Sequence, residues 1–202
     1  MIIIEGQIGV GKTTVGELVE RELGVPLFRE LQRPETHALL DRFYNDQRRW
    51  AFTLQVHFLN ERFRMIKEVQ KAGSGALDRS IYGDQIFARN LHADGRMSDE
   101  EYATYATLLS NMLEHVHPPR LLVYLDCSVD TAMARIQKRN RGLESGIPRD
   151  YLQRLNERYL QWYSSYDLSP KVFVDTESES LDAERNAYSL LQQIRPFLEG
   201  GN

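Results

Sequence analysis

Gly6-Gln7-Ile8-Gly9-Val10-Gly11-Lys12-Thr13 fills every fixed position of the pattern G-x-x-x-x-G-K-[ST], which cradles the phosphates of a nucleoside triphosphate. Glycines let a backbone wrap a phosphate with successive N–H groups pointing inward, and the helix that starts near Lys12 presents its positive end to the same anion. Lys12 then reaches the β- and γ-phosphates, the Thr13 hydroxyl ligates Mg²⁺, and Gly6 through Thr14 form the donor-binding loop. The loop identifies a triphosphate without saying what becomes of it. A GTPase needs D-x-x-G and N-K-x-D, and an ABC-type ATPase needs L-S-G-G-Q. None of these strings occurs, which leaves a small kinase.

Two further carboxylates fall at the ends of strand-like runs. Asp78 closes Gly75-Ala76-Leu77-Asp78, where a side chain meets the crevice above an open α/β sheet, so it can hold Mg²⁺ directly or through water. Arg79 beside it can grip a substrate hydroxyl or the transferring phosphoryl group. Glu30 ends the second run at the same rim and is the candidate base for an acceptor hydroxyl, a weak nucleophile until its proton is taken. From Arg135 to Arg149 the chain carries five basic side chains (Arg135, Lys138, Arg139, Arg141, Arg149) against one acid, Glu144, before and around Gly142, Gly146 and Pro148. A helix dipole alone would favour such a basic end, yet arginines on a hinged segment also suit a lid over a nucleotide. Gln55 and Arg62, two helical turns apart, share a stripe flanked by Phe52 and Leu59. A glutamine amide suits a base edge, and apolar neighbours suit the ring.

These residues need a scaffold, and the pattern supplies one. Short apolar runs at Ile2–Glu5, Pro26–Arg29, Gly75–Asp78, Arg120–Asp126 and Lys171–Asp175 alternate with helical stretches. The helices are expected over Lys12–Leu23, Arg48–Ala72, Ser98 to about His115, Ser128–Arg139, Pro148–Tyr166 and Leu181–Leu198. The predicted fold is α/β: a P-loop NTPase-type parallel five-stranded sheet with helices on both faces and a short arginine-rich lid at about 135–149. With no repeat or linker, residues 1–202 read as one domain.

The chain has 202 residues, 42% hydrophobic and 27% charged, and should bury roughly 70% of its unfolded surface without a staple. One cysteine, Cys127, excludes an internal disulfide and a multi-cysteine zinc site. The formal charge of −4 argues against nucleic-acid coating, and no apolar run approaches the ~20 residues of a membrane span. The chain opens on Ile2-Ile3-Ile4 without room for a leader, so a cytoplasmic location is expected. His115 and His117 read as a surface loop, Tyr102 and Tyr105 as packing or subunit contacts, and Trp162 as core.

Three separated segments then give the chain a family look. Phe43-Tyr44 before Arg48-Arg49-Trp50-Ala51-Phe52-Thr53-Leu54-Gln55, Asp78-Arg79-Ser80-Ile81-Tyr82-Gly83-Asp84, and Arg135-Ile136-Gln137-Lys138-Arg139-Asn140-Arg141 with Glu144-Ser145-Gly146-Ile147-Pro148 carry it. In these segments the chain resembles the deoxynucleoside kinases, particularly their bacterial deoxyadenosine/deoxyguanosine/deoxycytidine branch. The resemblance implies an ATP- and Mg²⁺-dependent 5′-kinase of deoxynucleoside salvage, working as a homodimer. It assigns Glu30 as base with Arg79 as its partner, and Tyr44 and Glu144 to the sugar 3′-hydroxyl. Gln55, the Arg62–Asp84 pair and Phe87 fall to the base, and Arg135, Arg139 and Arg141 to the lid. Thymidine-accepting relatives usually lack the Arg–Asp pair, so the expected acceptor is deoxyadenosine, deoxyguanosine or deoxycytidine, with a lean towards the purines, since a glutamine amide can meet adenine, cytosine or guanine. Two departures stand out: Asp78 replaces a commoner Glu, a shorter reach that calls for a bridging water, and Leu31-Gln32-Arg33 follows Glu30 where Pro or Val is usual. The rivals are a nucleoside monophosphate kinase of the thymidylate kind and a nucleotide-sensing module without turnover.

Overall fold

In the computed structural model, residues 1–31, 33–139, 146–177 and 184–198 are described. Five strands, β1 (Ile2–Glu5), β2 (Leu27–Phe28), β3 (Ala76–Asp78), β4 (Leu121–Asp126) and β5 (Lys171–Asp175), form one parallel sheet in the order β2-β3-β1-β4-β5. Around it pack α1 (Lys12–Leu23), α2 (Pro34–Asn45), α3 (Gln47–Ala72), α4 (Gln85–Ala93), α5 (Asp99–Leu113), α6 (Val129–Arg139), α7 (Arg149–Ser165) and α8 (Glu184–Ile194). A strand alternates its side chains between faces, and helices cover both faces here, so the strands must be apolar throughout. Ile3, Leu77, Leu122 and Tyr124 point into a core made with α3, α4, α5 and α7. Ile2, Ile4, Ala76, Val123 and Val174 point the other way, towards α1 and α8.

The predicted sheet and most of the helices are present, and two helices were not anticipated. The sequence pattern predicts no element between Glu30 and Arg48, yet α2 fills that stretch, with Pro34 in its first turn and Glu35 beside the dipole. It buries only Thr36 and Phe43, which is why its apolar period is faint. The nine-residue α4 starts at Asp84 and buries Ile86, Ala88, Asn90 and Leu91. Leu181–Ala183 of the last predicted helix lie outside the described residues, as do Asn140–Ser145 in the middle of the expected lid. Helix α5 opens with the expected capping box, Ser98 with Glu101. No described helix is long and apolar enough to cross a membrane.

Register brings the functional strand ends together. Ile4 pairs with Asp78, and Glu5 with Tyr124, so β1 leaves the sheet between β3 and β4, where the strand order switches sides. The phosphate loop begins at that exit. At Gly9, with φ +88°, a Cβ would lie 2.6 Å from the Ala132 carbonyl oxygen, so the loop can press against α6 only without a side chain there.

Candidate active site

A cavity of about 560 Å³ opens above the carboxyl ends of the strands. Ile8 to Thr14 line one end. The Lys12 ammonium donates to the Gly6 and Gln7 carbonyls at 3.0 and 2.7 Å. Burial and the nearby Arg79 charge pull its pKa down to about 7, against the attraction of Asp78, Glu30 and Glu5. Gly6 and Gln7 do not line the cavity, although both were assigned to the donor: Gln7 is fully buried with its amide donating to the Cys127 carbonyl, so these two residues shape the loop from behind. Thr13 Oγ1 donates to Asp78 Oδ2 at 2.7 Å, so both expected metal ligands meet at one point. A hydroxyl beside a carboxylate is the hard-oxygen donor set that suits Mg²⁺, which takes few protein ligands and completes its shell with phosphates and water. Among the described residues no cluster of three or more His, Cys, Asp or Glu offers a denser metal cage.

The acceptor side, next to Lys12, is built from charged side chains. Glu30, just beyond β2, is bracketed by two guanidiniums: its Oε2 lies 3.0 Å from Arg79 Nε and its Oε1 is ion-paired with Arg62 Nη2. Burial alone would raise the Glu30 carboxyl, but Arg62, Arg79 and Lys12 outweigh it and hold the group below the usual carboxylate range. Arg62 Nη1 pairs with Asp84 Oδ1, Tyr105 Oη donates to Asp84 Oδ2 at 2.5 Å, and Arg79 Nη1 donates to the Tyr159 hydroxyl at 2.5 Å. Tyr105, Asp84, Arg62, Glu30, Arg79 and Tyr159 thus form one line of alternating partners. Asp84 stands behind Arg62 and does not line the cavity, so the expected contact of Asp84 with substrate becomes an indirect one.

Arg79 takes its place through the backbone. Its φ of +73° is the one left-handed value among described non-glycine residues. Arg79 N still donates to the Ile4 carbonyl, but the turn carries Ser80 away from the strand ladder, and the Glu5 carboxylate receives Ser80 N at 2.7 Å and Ser80 Oγ at 2.6 Å. Burial pushes the Glu5 carboxyl up, opposed by Arg79, the Ser80 bond, Arg62 and Lys12. A Cβ on Gly83 would sit 2.9 Å from that carboxyl group, so a side chain there would have to displace the Glu5 carboxylate from Ser80.

Gln55, Arg62 and Tyr44 line the cavity, and Phe87 does so beneath the Arg79 guanidinium, 4.6 Å from its ring centre. The predicted apolar flanks are different: Leu54 and Phe58 face the cavity, whereas Leu59 is fully buried in the core and Phe52 packs at its edge. The packing of α3 against α2, α4 and α5 buries Leu59 and leaves the i+3 neighbour of Gln55, rather than the i+4 neighbour, at the cavity. Arg135 and Arg139 line the donor end. Arg135 is tied to the loop after β5, with Nη1 2.9 Å from Thr176 Oγ1 and Nη2 2.7 Å from the Thr176 carbonyl, while Thr176 Oγ1 donates to the Val10 carbonyl at 3.0 Å. Arg141 and Glu144 lie outside the described residues.

Sequence reasoning missed Glu5, Tyr105, Tyr159 and Thr176. For Glu5 the signal existed, since an acid at the carboxyl end of a strand was the argument used for Asp78. The tyrosines gave none, because a buried tyrosine at helical spacing reads as packing.

Comparison with known proteins agrees with this construction. The model of the family described as deoxynucleoside kinase matches residues 2–199. A deoxyguanosine kinase of Lactobacillus johnsonii is 39% identical over 96% of this chain and 90% of its own length. A deoxyadenosine/deoxycytidine kinase of Bacillus subtilis is 33% identical over 96% and 91%. The structure of a deoxyadenosine kinase from M. mycoides with bound dCTP superposes with a TM-score of 0.83 at 28% identity, covering 97% of this chain and all of that one. A phosphate loop facing a bracketed carboxylate, matched nearly end to end by kinases of one kind, means that the chain belongs to the deoxynucleoside kinase family, phosphotransferases with an alcohol acceptor.

Proposed function

We propose that the protein transfers the γ-phosphate of ATP to the 5′-hydroxyl of a purine deoxynucleoside, with Glu30 as general base and residues 1–202 acting as one domain. The observation that carries this reading is Glu30, a carboxylate held ionised by Arg62 and Arg79 on the acceptor side of the cavity and within electrostatic reach of Lys12 in the phosphate loop. An alcohol needs its proton removed, and an ionised carboxylate at hydrogen-bonding reach can take it. A phosphate acceptor needs no base and is repelled by a carboxylate, which weighs against a nucleoside monophosphate kinase.

In this mechanism the 5′-oxygen forms a bond to the γ-phosphorus, its proton passes to Glu30, and the bond from the γ-phosphorus to the β,γ-bridging oxygen breaks to release ADP. Arg79, fixed by Glu30 and Tyr159, meets the charge that develops on the transferring group. Lys12 exchanges the Gly6 and Gln7 carbonyls for the phosphates. Thr13 and Asp78 would hold Mg²⁺, which neutralises phosphate charge when bound. Tyr44, with Glu144 as its expected partner, serves the sugar. At the base edge, Gln55 Oε1 and Arg62 Nε are buried without a hydrogen-bond partner among the described residues, an acceptor and a donor on one helix face. Phe58 and Phe87 supply the apolar walls.

The test is product formation from Mg-ATP across deoxyadenosine, deoxyguanosine, deoxycytidine, thymidine and thymidine monophosphate. The purine deoxynucleosides should be phosphorylated ahead of the others. Turnover of the monophosphate alone would overturn the role of Glu30, and ATP binding without any product would favour a sensing module. The reading includes a homodimer, which light scattering of the purified chain checks.

A further inference from the structure

Asp84 is held at both carboxylate oxygens, and the two holds are unlike. Oδ1 is taken by Arg62, which lines the cavity; Oδ2 is taken by Tyr105, which lies on α5, has no exposed surface and does not line the cavity. Asp84 stands at the start of α4 yet makes no side-chain bond to that helix end, so Tyr105 is the described group that donates to Oδ2. A carboxylate bound through one oxygen pivots, and the guanidinium paired with it follows. With both oxygens bound the carboxylate is fixed. Both terminal nitrogens of Arg62 are then committed, one to Asp84 and one to Glu30, and its side chain stands at a set distance from Gln55 on the same face of α3. Burial pushes the Tyr105 phenol well above its usual value, so the hydroxyl remains a donor throughout the working range.

We propose that Tyr105 is a positioning residue for base discrimination: its hydroxyl locks the Asp84 carboxylate, and Asp84 holds Arg62 in register with Gln55 at the base edge. The inference rests on reading Gln55 and Arg62 as that edge. Packing accounts for an aromatic ring at this buried site, but only the hydroxyl reaches Oδ2, and phenylalanine would fill the same space without it. Its loss leaves a buried ionised oxygen without a donor, and hydrogen bonds to charged groups are among the more consequential in a fold.

The experiment compares kcat and KM of Tyr105→Phe, Asp84→Asn and the double variant on deoxyguanosine, deoxyadenosine, deoxycytidine and thymidine, with melting temperatures recorded alongside. Tyr105→Phe should lower the kcat/KM ratio between the best and worst base about tenfold, through the nucleoside KM, with the ATP KM unchanged. The double variant should discriminate no worse than Asp84→Asn alone, because Tyr105 acts through Asp84. A fall in melting temperature with the ratio intact would make Tyr105 a packing residue and overturn the proposal, as would additive losses in the double variant. If Asp84→Asn shifts the ratio and Tyr105→Phe does not, the Tyr105 proposal fails alone. If neither variant shifts it, the assignment of Arg62 to the base edge fails with it.

Discussion

The phosphate loop of the donor end is a single stretch of chain, Ile8 to Thr14, acting largely through backbone groups, whereas the acceptor side draws Glu30, Arg62 and the pair Arg79 and Asp84 from three places in the sequence. One is specified locally: given a strand, a helix and glycines, the loop forms and its N–H groups converge. The other exists only once β2, α3, β3 and α4 are packed, and its members hold one another by charge. A buried array of alternating carboxylates and guanidiniums tolerates no unilateral loss, because removing one member leaves its partner charged and unpaired. The donor end should therefore answer a single substitution with lost transition-state binding, and the acceptor end with rearrangement as well.

The largest effect is expected at the donor end. Lys12→Met removes the mobile charge of the loop but leaves its backbone, and kcat should fall on the order of 10³-fold. A loss of less than about tenfold would mean that backbone groups carry the phosphates without it. The lowered Lys12 pKa adds a pH signature. In the free enzyme the ammonium loses its proton as the pH rises through about 7, so kcat/KM for ATP should decline on the alkaline side. Bound phosphate restores the proton, so kcat should stay level over the same range.

At the acceptor end Glu30→Gln should lower kcat roughly 10²- to 10³-fold and weaken nucleoside affinity, read by calorimetry, by much less, the smaller loss coming from Arg62 and Arg79 left without their shared carboxylate. Arg62 and Arg79 keep the Glu30 carboxyl below its ordinary value, so the base is ionised at neutral pH and its activity is lost only as the pH falls through that lowered value. An acid limb of kcat lying above the usual carboxylate range would remove Glu30 as the base.

The same contrast sets how much could be read from the sequence. The donor loop was legible because its chemistry is contiguous, and the sheet because β1 and β4 are continuous apolar runs. Glu30, Gln55 and Arg62 could be proposed from their positions but gained weight only through resemblance across distant segments, which alone supplied Asp84, since a lone Glu after a strand carries little meaning. Which side of α3 faces the cavity was not legible: Leu59 and Phe58 are equally apolar, and the packing of α3 against its neighbouring helices decides between them. Tyr105 and Tyr159 stayed hidden because their hydroxyls, not their rings, do the site's work.

A smaller effect should follow from replacing Arg62 and Asp84 together. Exchanging both for small apolar residues removes opposite charges at once, which spares the fold an unpaired ion, although Glu30 loses one of its two guanidiniums. Thymidine should then be accepted, with its kcat/KM relative to deoxyguanosine raised about tenfold. An unaltered preference in the substrate panel would show that the pair orders Glu30 and gates nothing.

The smallest effect is expected at Glu5, which sits between the two ends and sharpens where one stops and the other starts. Its Oε1 receives both Ser80 N and Ser80 Oγ and so steadies the left-handed turn at Arg79. Glu5→Gln keeps an acceptor oxygen at that point and removes only the charge, so kcat should fall about two- to fivefold if Glu5 serves the turn alone. Because burial raises the Glu5 carboxyl in the fold, ionising it costs stability as the pH rises above the ordinary carboxylate range. Glutamine escapes that cost, so the melting temperature of the variant relative to the natural chain should climb as the pH rises above the ordinary carboxylate range. A kcat loss as deep as that of Glu30→Gln would instead make the Glu5 charge a working member of the acceptor array, which would then extend through Arg79 to the strand that launches the phosphate loop.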